Sequence, residues 1–168
     1  TYGGRNLTLV DTAGIRKKAN VVERLEGMAV GDSLRALKYA QVAVVLMDAT
    51  MPLEKQDATL AALVEREGRA CVLGLSKWDL IKDKSATLEE IRYQCESQLP
   101  QLKGISVVPL SAVKDKGLEA LMDACFAAYD VWNRRVGTAE LNRWLEDAEN
   151  THTPPLVKGR RLKLKYMT

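Results

Sequence analysis

"VAVVLMDAT", residues 42–50, is the stretch whose reading decides the fold. Six apolar residues, three of them valine, run without a break into Asp48, Ala49 and Thr50. A run this short and this rich in β-branched residues reads as a strand buried on both faces of a parallel sheet. "ACVLGL", residues 70–75, repeats the pattern. Between the two, Lys55 to Glu67 carries helical periodicity, with Pro52 and Gln56 bracketing its start and Gly68 placed to end it. Further out lie strand-like runs at Asn6 to Val10 and at Ile105 to Val108. Pro109 closes the second of these, because it has no N–H to give to a ladder. Helical patterns cover Met28 to Tyr39, Ala86 to Leu99 and Leu118 to Val131, the last preceded by Gly117. Strand and helix alternating in this way predict an α/β fold with a doubly wound, mostly parallel sheet.

The chain's 168 residues suffice for one ordinary domain and part of a second. No apolar run approaches the ~20 residues of a membrane span, and the N-terminus lacks the basic-then-apolar layout of a signal peptide. The expectation is a cytoplasmic protein with no membrane partner, and a monomer. Cys71, Cys95 and Cys125 are widely spaced and lie inside apolar or helical patterns, so they read as reduced core residues. His152, the single histidine, sits beside prolines with no second ligand near it, which argues against a histidine metal site.

After Asn133-Arg134-Arg135 the pattern changes. Thr138 is placed to cap a short helix with Leu141, Trp144, Leu145 and Ala148 on one face, and the prolines of "THTPPLVKG" break it. "RLKLKYM", residues 161–167, alternates apolar with basic as a half-exposed strand does, and no strand follows to pair with it. Lys158, Arg160, Arg161, Lys163 and Lys165 crowd this end, which contains no acid; without them the net charge of +3 becomes about −2. Such an end suits an anionic partner such as RNA. It equally suits the solvated face of a strand, the preferred reading on charge alone.

Ligands of open parallel sheets bind beyond the carboxyl ends of the strands. The residues expected there are Asp11, then Asp48, then Ser76-Lys77-Trp78-Asp79, then Ser111-Ala112. Asp and Ser also cap helices and turns, so each taken singly is more readily a cap. Their order is more telling. Asp11-Thr12-Ala13-Gly14, then Ser76-Lys77-Trp78-Asp79, then Ser111-Ala112 resembles the DxxG, NKxD and SA motifs of P-loop GTPases. With the flanks "LVDTAGIRKK" and "LKYAQVAVVLMDAT" and the tail "NRRVGTAELNRWLEDAENTHTPPLVKGRRLKLKYMT", the whole chain is similar to the Der (EngA) family. It matches the second GTPase domain of that family and the start of its C-terminal α+β KH-like domain. The implied domains are a partial GTPase domain at 1–135 and the beginning of the KH-like domain at 136–168.

The resemblance implies a GTP-binding and GTP-hydrolysing protein of large-ribosomal-subunit assembly. Its cofactors would be GTP or GDP, Mg²⁺ and an assisting K⁺, and its partners the large subunit and its rRNA. Asp11 would hold Mg²⁺ through a water, as hard hydrated cations are often gripped. Gly14 would bring a backbone N–H to the γ-phosphate, within the turn Thr12, Ala13, Gly14, which carries no bulk. Asp79 would accept the ring N–H and the amino group of guanine, a donor pair that adenine lacks. Lys77 would lay its stem along the base or ribose, and Ala112 would donate its N–H to the guanine carbonyl. Trp78 reads as packing, and Asp48 as the turn after a buried strand.

Two departures stand out. Ser76 occupies the family's Asn position with only a hydroxyl to offer. GxxxxGK[ST] and the switch threonine are not in these residues, so the resemblance places the first strand, the P-loop and the first helix upstream. These residues alone are then expected to bind GTP poorly and not to turn it over. Ile15 stands where many GTPases carry a water-orienting Gln, which implies the K⁺-assisted group; no catalytic base can be named. Arg16, Lys17 and Lys18, with Gly27 and Gly31 beyond them, would belong to the second switch. A receiver-like reading of Asp11, Asp48, Ser76 and Lys77 fails for want of an acidic pair and a Lys-Pro. A non-catalytic RNA-contacting scaffold is the alternative, though no GXXG loop is visible.

Overall fold

The computed structural model describes residues 1–11, 37–153, 156–157, 160–161 and 166–167. It divides into two compact units, Thr1–Trp132 and Asn133–Thr168.

In the first unit, strands β1 (Val42–Asp48), β2 (Ala70–Ser76) and β3 (Ser106–Pro109) form a parallel sheet in the order β1-β2-β3. The register sets Asp48 beside Ser76 and Leu75 beside Pro109, so the strands end together. Helices α1 (Lys55–Arg66) and α2 (Lys84–Gln98) cover one face. There Val45, Met47, Cys71, Leu73, Leu75 and Val107 meet Ala61, Val64, Ile91 and Cys95 in the main core. On the other face Val72, Val108 and Leu110 pack against Leu121, Ala124, Cys125 and Ala128 of α3 (Leu118–Trp132). Helices on both faces make this the expected doubly wound sheet.

β2 is buried along both faces, as its continuous apolar run predicts. β1 differs from the expectation: Val45 and Met47 are buried, while Val44 and Leu46 are exposed on the other face, where α3 packs chiefly over β2 and β3. The reading of Asn6 to Val10 as a strand needs a larger correction. These residues form no ladder, and Leu7, Leu9 and Val10 are exposed. A strand exists by its pairing, and among the described residues none runs beside this segment. The N-terminus instead docks on α3. Tyr2 stacks on Phe126 and donates from its hydroxyl to Asp123 at 3.2 Å, while Arg5 makes a two-point ion pair with Asp130 at 3.0 and 3.2 Å.

Helix boundaries follow local chemistry. Gly68, at φ +67°, closes α1 by donating to the Glu65 carbonyl at 2.7 Å. α2 begins two residues before the expected Ala86, because the Asp83 carboxylate accepts the Ala86 N–H at 3.1 Å and caps it. The expected helix at Met28 to Tyr39 lies mostly outside the described residues, of which 37–39 are helical.

In the second unit α4 (Thr138–Thr151) is the expected helix, with Leu145 buried. Thr138 is its first helical residue and not its cap; that position belongs to Gly137, whose extended backbone leads into the helix. The terminal strand has a partner that precedes it: β4 (Leu156–Val157) pairs antiparallel with β5 (Arg160–Arg161). Residues 162–165 of the expected strand lie outside the described residues. Tyr166 and Met167 are not part of a strand, so the expected strand does not reach them; the Asn142 side chain of α4 instead bonds both the carbonyl and the N–H of Met167, each at 3.0 Å.

Candidate guanine-nucleotide site

The ends of β1, β2 and β3 bring together three of the four polar groups expected there. Ser76, half-buried at the end of β2, donates its hydroxyl to the Met47 carbonyl at 2.7 Å and straps β2 to β1. Lys77 follows in the left-handed region at φ +58° and ψ 31°, a conformation disfavoured for any residue with a Cβ. It turns the chain into a short 3₁₀ helix, Trp78–Leu80, closed by the Leu80 N–H on the Lys77 carbonyl at 3.0 Å. The Trp78 N–H donates to the Leu110 carbonyl at 3.0 Å, which fixes this turn to the end of β3. The Trp78 side chain packs against the main core, in agreement with its reading as packing.

Asp79 is thereby carried next to Ser111. The buried Ser111 hydroxyl donates to Asp79 Oδ1 at 2.6 Å and accepts the Lys114 N–H at 3.2 Å. Ser111 and Lys116 exchange backbone bonds of 3.0 Å in both directions, so the loop holding the exposed Ala112 is closed on itself. The Ser111 hydrogen bond lowers the Asp79 pKa from its ordinary value; Asp79's own N–H and the charges of Lys114 and Lys84 add to it. The same bond orients the carboxylate and favours its ionised form.

Loop closure depends on Gly117. At φ +94° it adopts a backbone that L side chains rarely take, and a Cβ there would run into the Pro109 carbonyl.

Sequence reasoning underread Asp48. Its Oδ1 accepts the Thr50 N–H at 3.0 Å and the Thr50 hydroxyl at 2.7 Å, which is the expected turn. Its Oδ2 also receives the Lys77 ammonium at 2.6 Å. Lys77, and Thr50 after it, hold the Asp48 carboxyl well below the usual carboxylate range. The Asp-x-Thr spacing signals the turn, whereas the ion pair follows from the β1–β2 register, which no local spacing displays.

Asp11 is exposed at the end of segment 1–11, and Thr12, Ala13, Gly14 and Ile15 lie outside the described residues. So do Arg16, Lys17, Lys18, Gly27 and Gly31. Among the described residues no cluster of three His, Cys, Asp or Glu side chains could hold a metal, and no helix is long and apolar enough to cross a membrane. The cysteines are free, and burial pushes Cys71 up to about 12 and Cys95 to about 11, which leaves neither a nucleophile at neutral pH.

A doubly wound parallel sheet with polar turns gathered at its strand ends defines the α/β class whose ligands bind at that edge. The chain belongs to the GTP-binding family described as the elongation factor Tu GTP binding domain, which matches residues 2–130. Residues 135–168 match the KH-domain-like C-terminal part of EngA bacterial GTPase enzymes. Individual relatives agree. The chain is 51% identical to GTPase Der of Allorhizobium ampelinum over 99% of its own length. It is 52% identical to the proteins of that name from Rhizobium meliloti and Mesorhizobium japonicum. It covers 35% of each of these relatives, and so spans about a third of their length.

Proposed function

We propose that this chain supplies the base-recognition side of a guanine-nucleotide site within a longer GTPase, with residues 1–135 as part of the GTPase domain and 136–168 as the start of a KH-like domain. The observation that carries the reading is the Asp79–Ser111 pair. A carboxylate aligned by a buried hydroxyl, just past the ends of two adjacent parallel strands, suits the ring N–H and amino group of guanine. Lys77 borders the base through its stem, Ala112 offers its N–H to the guanine carbonyl, and Ser76 and Trp78 set the turn between them.

Asp11, Thr12, Ala13, Gly14 and Ile15 serve the γ-phosphate. Asp11 is a hard oxygen donor at an exposed position, which fits a water-mediated hold on Mg²⁺. When bound, Mg²⁺ and K⁺ would neutralise charge on the phosphates. The longer protein hydrolyses GTP in the cytoplasm, and the nucleotide governs its contact with the large ribosomal subunit and rRNA. Family membership and the EngA-type C-terminal match support this reading.

The test is Asp79→Asn in the intact protein. Two charge-assisted acceptor bonds are replaced by one acceptor and a misplaced donor. Fluorescent guanine-nucleotide titration should show affinity falling about 100-fold or more, with xanthine nucleotides gaining. Unchanged guanine affinity would remove Asp79 from the site.

A further inference from the structure

Asp48 does more than the turn after β1 requires. A turn of that kind uses one carboxylate oxygen, and Thr50 already occupies it with two bonds. The second oxygen is aimed across the strand ends at Lys77, whose ammonium it meets at 2.6 Å. The two partners are unequal: the Asp48 side chain is 18% exposed and the Lys77 side chain 59%. An ion pair between two freely moving surface chains contributes little, because both must be ordered to make it. Here the acid is already fixed by the strand end and by Thr50, so only the lysine has freedom to lose.

What the pair holds in place is the residue with the unfavourable backbone. Lys77, at φ +58°, is the hinge of the turn that swings Asp79 toward Ser111. Its neighbours Trp78 and Leu80 are bonded to Leu110 and to Lys77 itself, so the turn is fixed on its far side by backbone and on its near side by the side chain. A lysine stem carries several rotatable bonds. Anchoring its head before a ligand arrives moves that ordering cost from binding to folding, which tightens binding without adding a ligand contact.

We propose that Asp48 is a positioning residue of the nucleotide site, where it holds the Lys77 ammonium and through it the left-handed turn that presents Asp79. The proposal rests on the guanine-site reading above. Asp48 acts through Lys77 and need not touch nucleotide.

The experiment is a double-mutant cycle in the intact protein carrying these residues, read by fluorescent GDP affinity and dissociation rate. Asp48→Asn keeps an acceptor for Thr50 and removes the charge. It should weaken GDP binding about tenfold, mainly through faster dissociation. Lys77→Ala should weaken binding at least as much, and the double variant should bind as Lys77→Ala does, because the two act as one unit. Asp48→Glu should recover part of the loss. Should Asp48→Asn fail to fold, Thr50→Val, which removes one lock on the carboxylate and leaves its charge, takes its place in the cycle. GDP affinity within twofold of wild type in Asp48→Asn, or losses that multiply in the double variant, would overturn the proposal. Asp79→Asn, run alongside, separates the two failures. If it exchanges guanine for xanthine while Asp48→Asn is silent, only the positioning role falls; if it leaves guanine binding intact, the site reading falls.

Discussion

Asp48 ends one strand of the sheet and Asp79 follows its neighbour, and the two are held by different chemistry. Asp48 is locked by the turn it starts and is matched by a cation, so its charge is spent within the protein. Asp79 is aligned by a neutral hydroxyl, with Lys114 and Lys84 acting only through their charge. A carboxylate whose geometry is fixed by neutral donors keeps its charge. Pairing with a cation fixes geometry too, but it consumes the charge. The difference separates a carboxylate matched by a cation within the fold from one aligned by a neutral donor, although both are aspartates at strand ends.

The largest loss is expected at Gly117. A Cβ there meets the Pro109 carbonyl at a backbone angle that favours glycine, so Gly117→Ala should cost about 3 kcal/mol of stability. The damage should fall on the loop that carries Ser111 and leave the Asp48–Thr50 turn intact. Urea unfolding, with amide exchange read at Thr50 and at Lys116, would check both halves. Equal loss of protection at the two amides would count against two independently held stations.

Ser111→Ala leaves the Lys114 N–H without its acceptor, at a cost of about 1 kcal/mol, and frees Asp79 to rotate. Guanine-nucleotide affinity, followed by fluorescence titration in the intact protein, should fall about tenfold while the Lys77–Asp48 pair persists. If affinity does not change, the hydroxyl is not what aligns Asp79.

What the sequence disclosed divides along the same line, between local and non-local causes. β2 and the end of α1 at Gly68 were legible because an apolar run and a left-handed glycine act where they stand. The Ser-Lys-Trp-Asp and Ser-Ala stations were legible as an ordered set, and the sheet places them side by side. The Asp48–Lys77 pair was not, because residues 29 positions apart meet only once the register of β1 on β2 is known. Asn6 to Val10 has the alternation of a strand, yet alternation describes which faces would be buried and says nothing of a neighbour. Thr138 misled for a smaller reason: a capping residue and a first helical residue differ by one position, and Gly137 takes the extended conformation.

The smallest expected effect is also the most specific. Both carboxyls titrate below their ordinary value in the folded protein, Asp48 chiefly through Lys77 and Asp79 chiefly through Ser111. A depressed folded pKa means that the unfolded chain takes up protons first as pH falls. The stabilisation is therefore complete above the unfolded value of about 3.9 and is lost as pH drops through the folded one. In Ser111→Ala the Asp79 carboxyl should titrate at higher pH than in wild type, while remaining below an unperturbed aspartate because its own N–H and the two lysines still act on it. Asp48 should not move, since none of its partners has changed. Site-resolved ¹³C carboxyl titration reads the two groups separately. A shift of both together would mean that the strand ends respond as one electrostatic unit, and the distinction between the cation-paired and the hydroxyl-aligned carboxylate would then be one of degree.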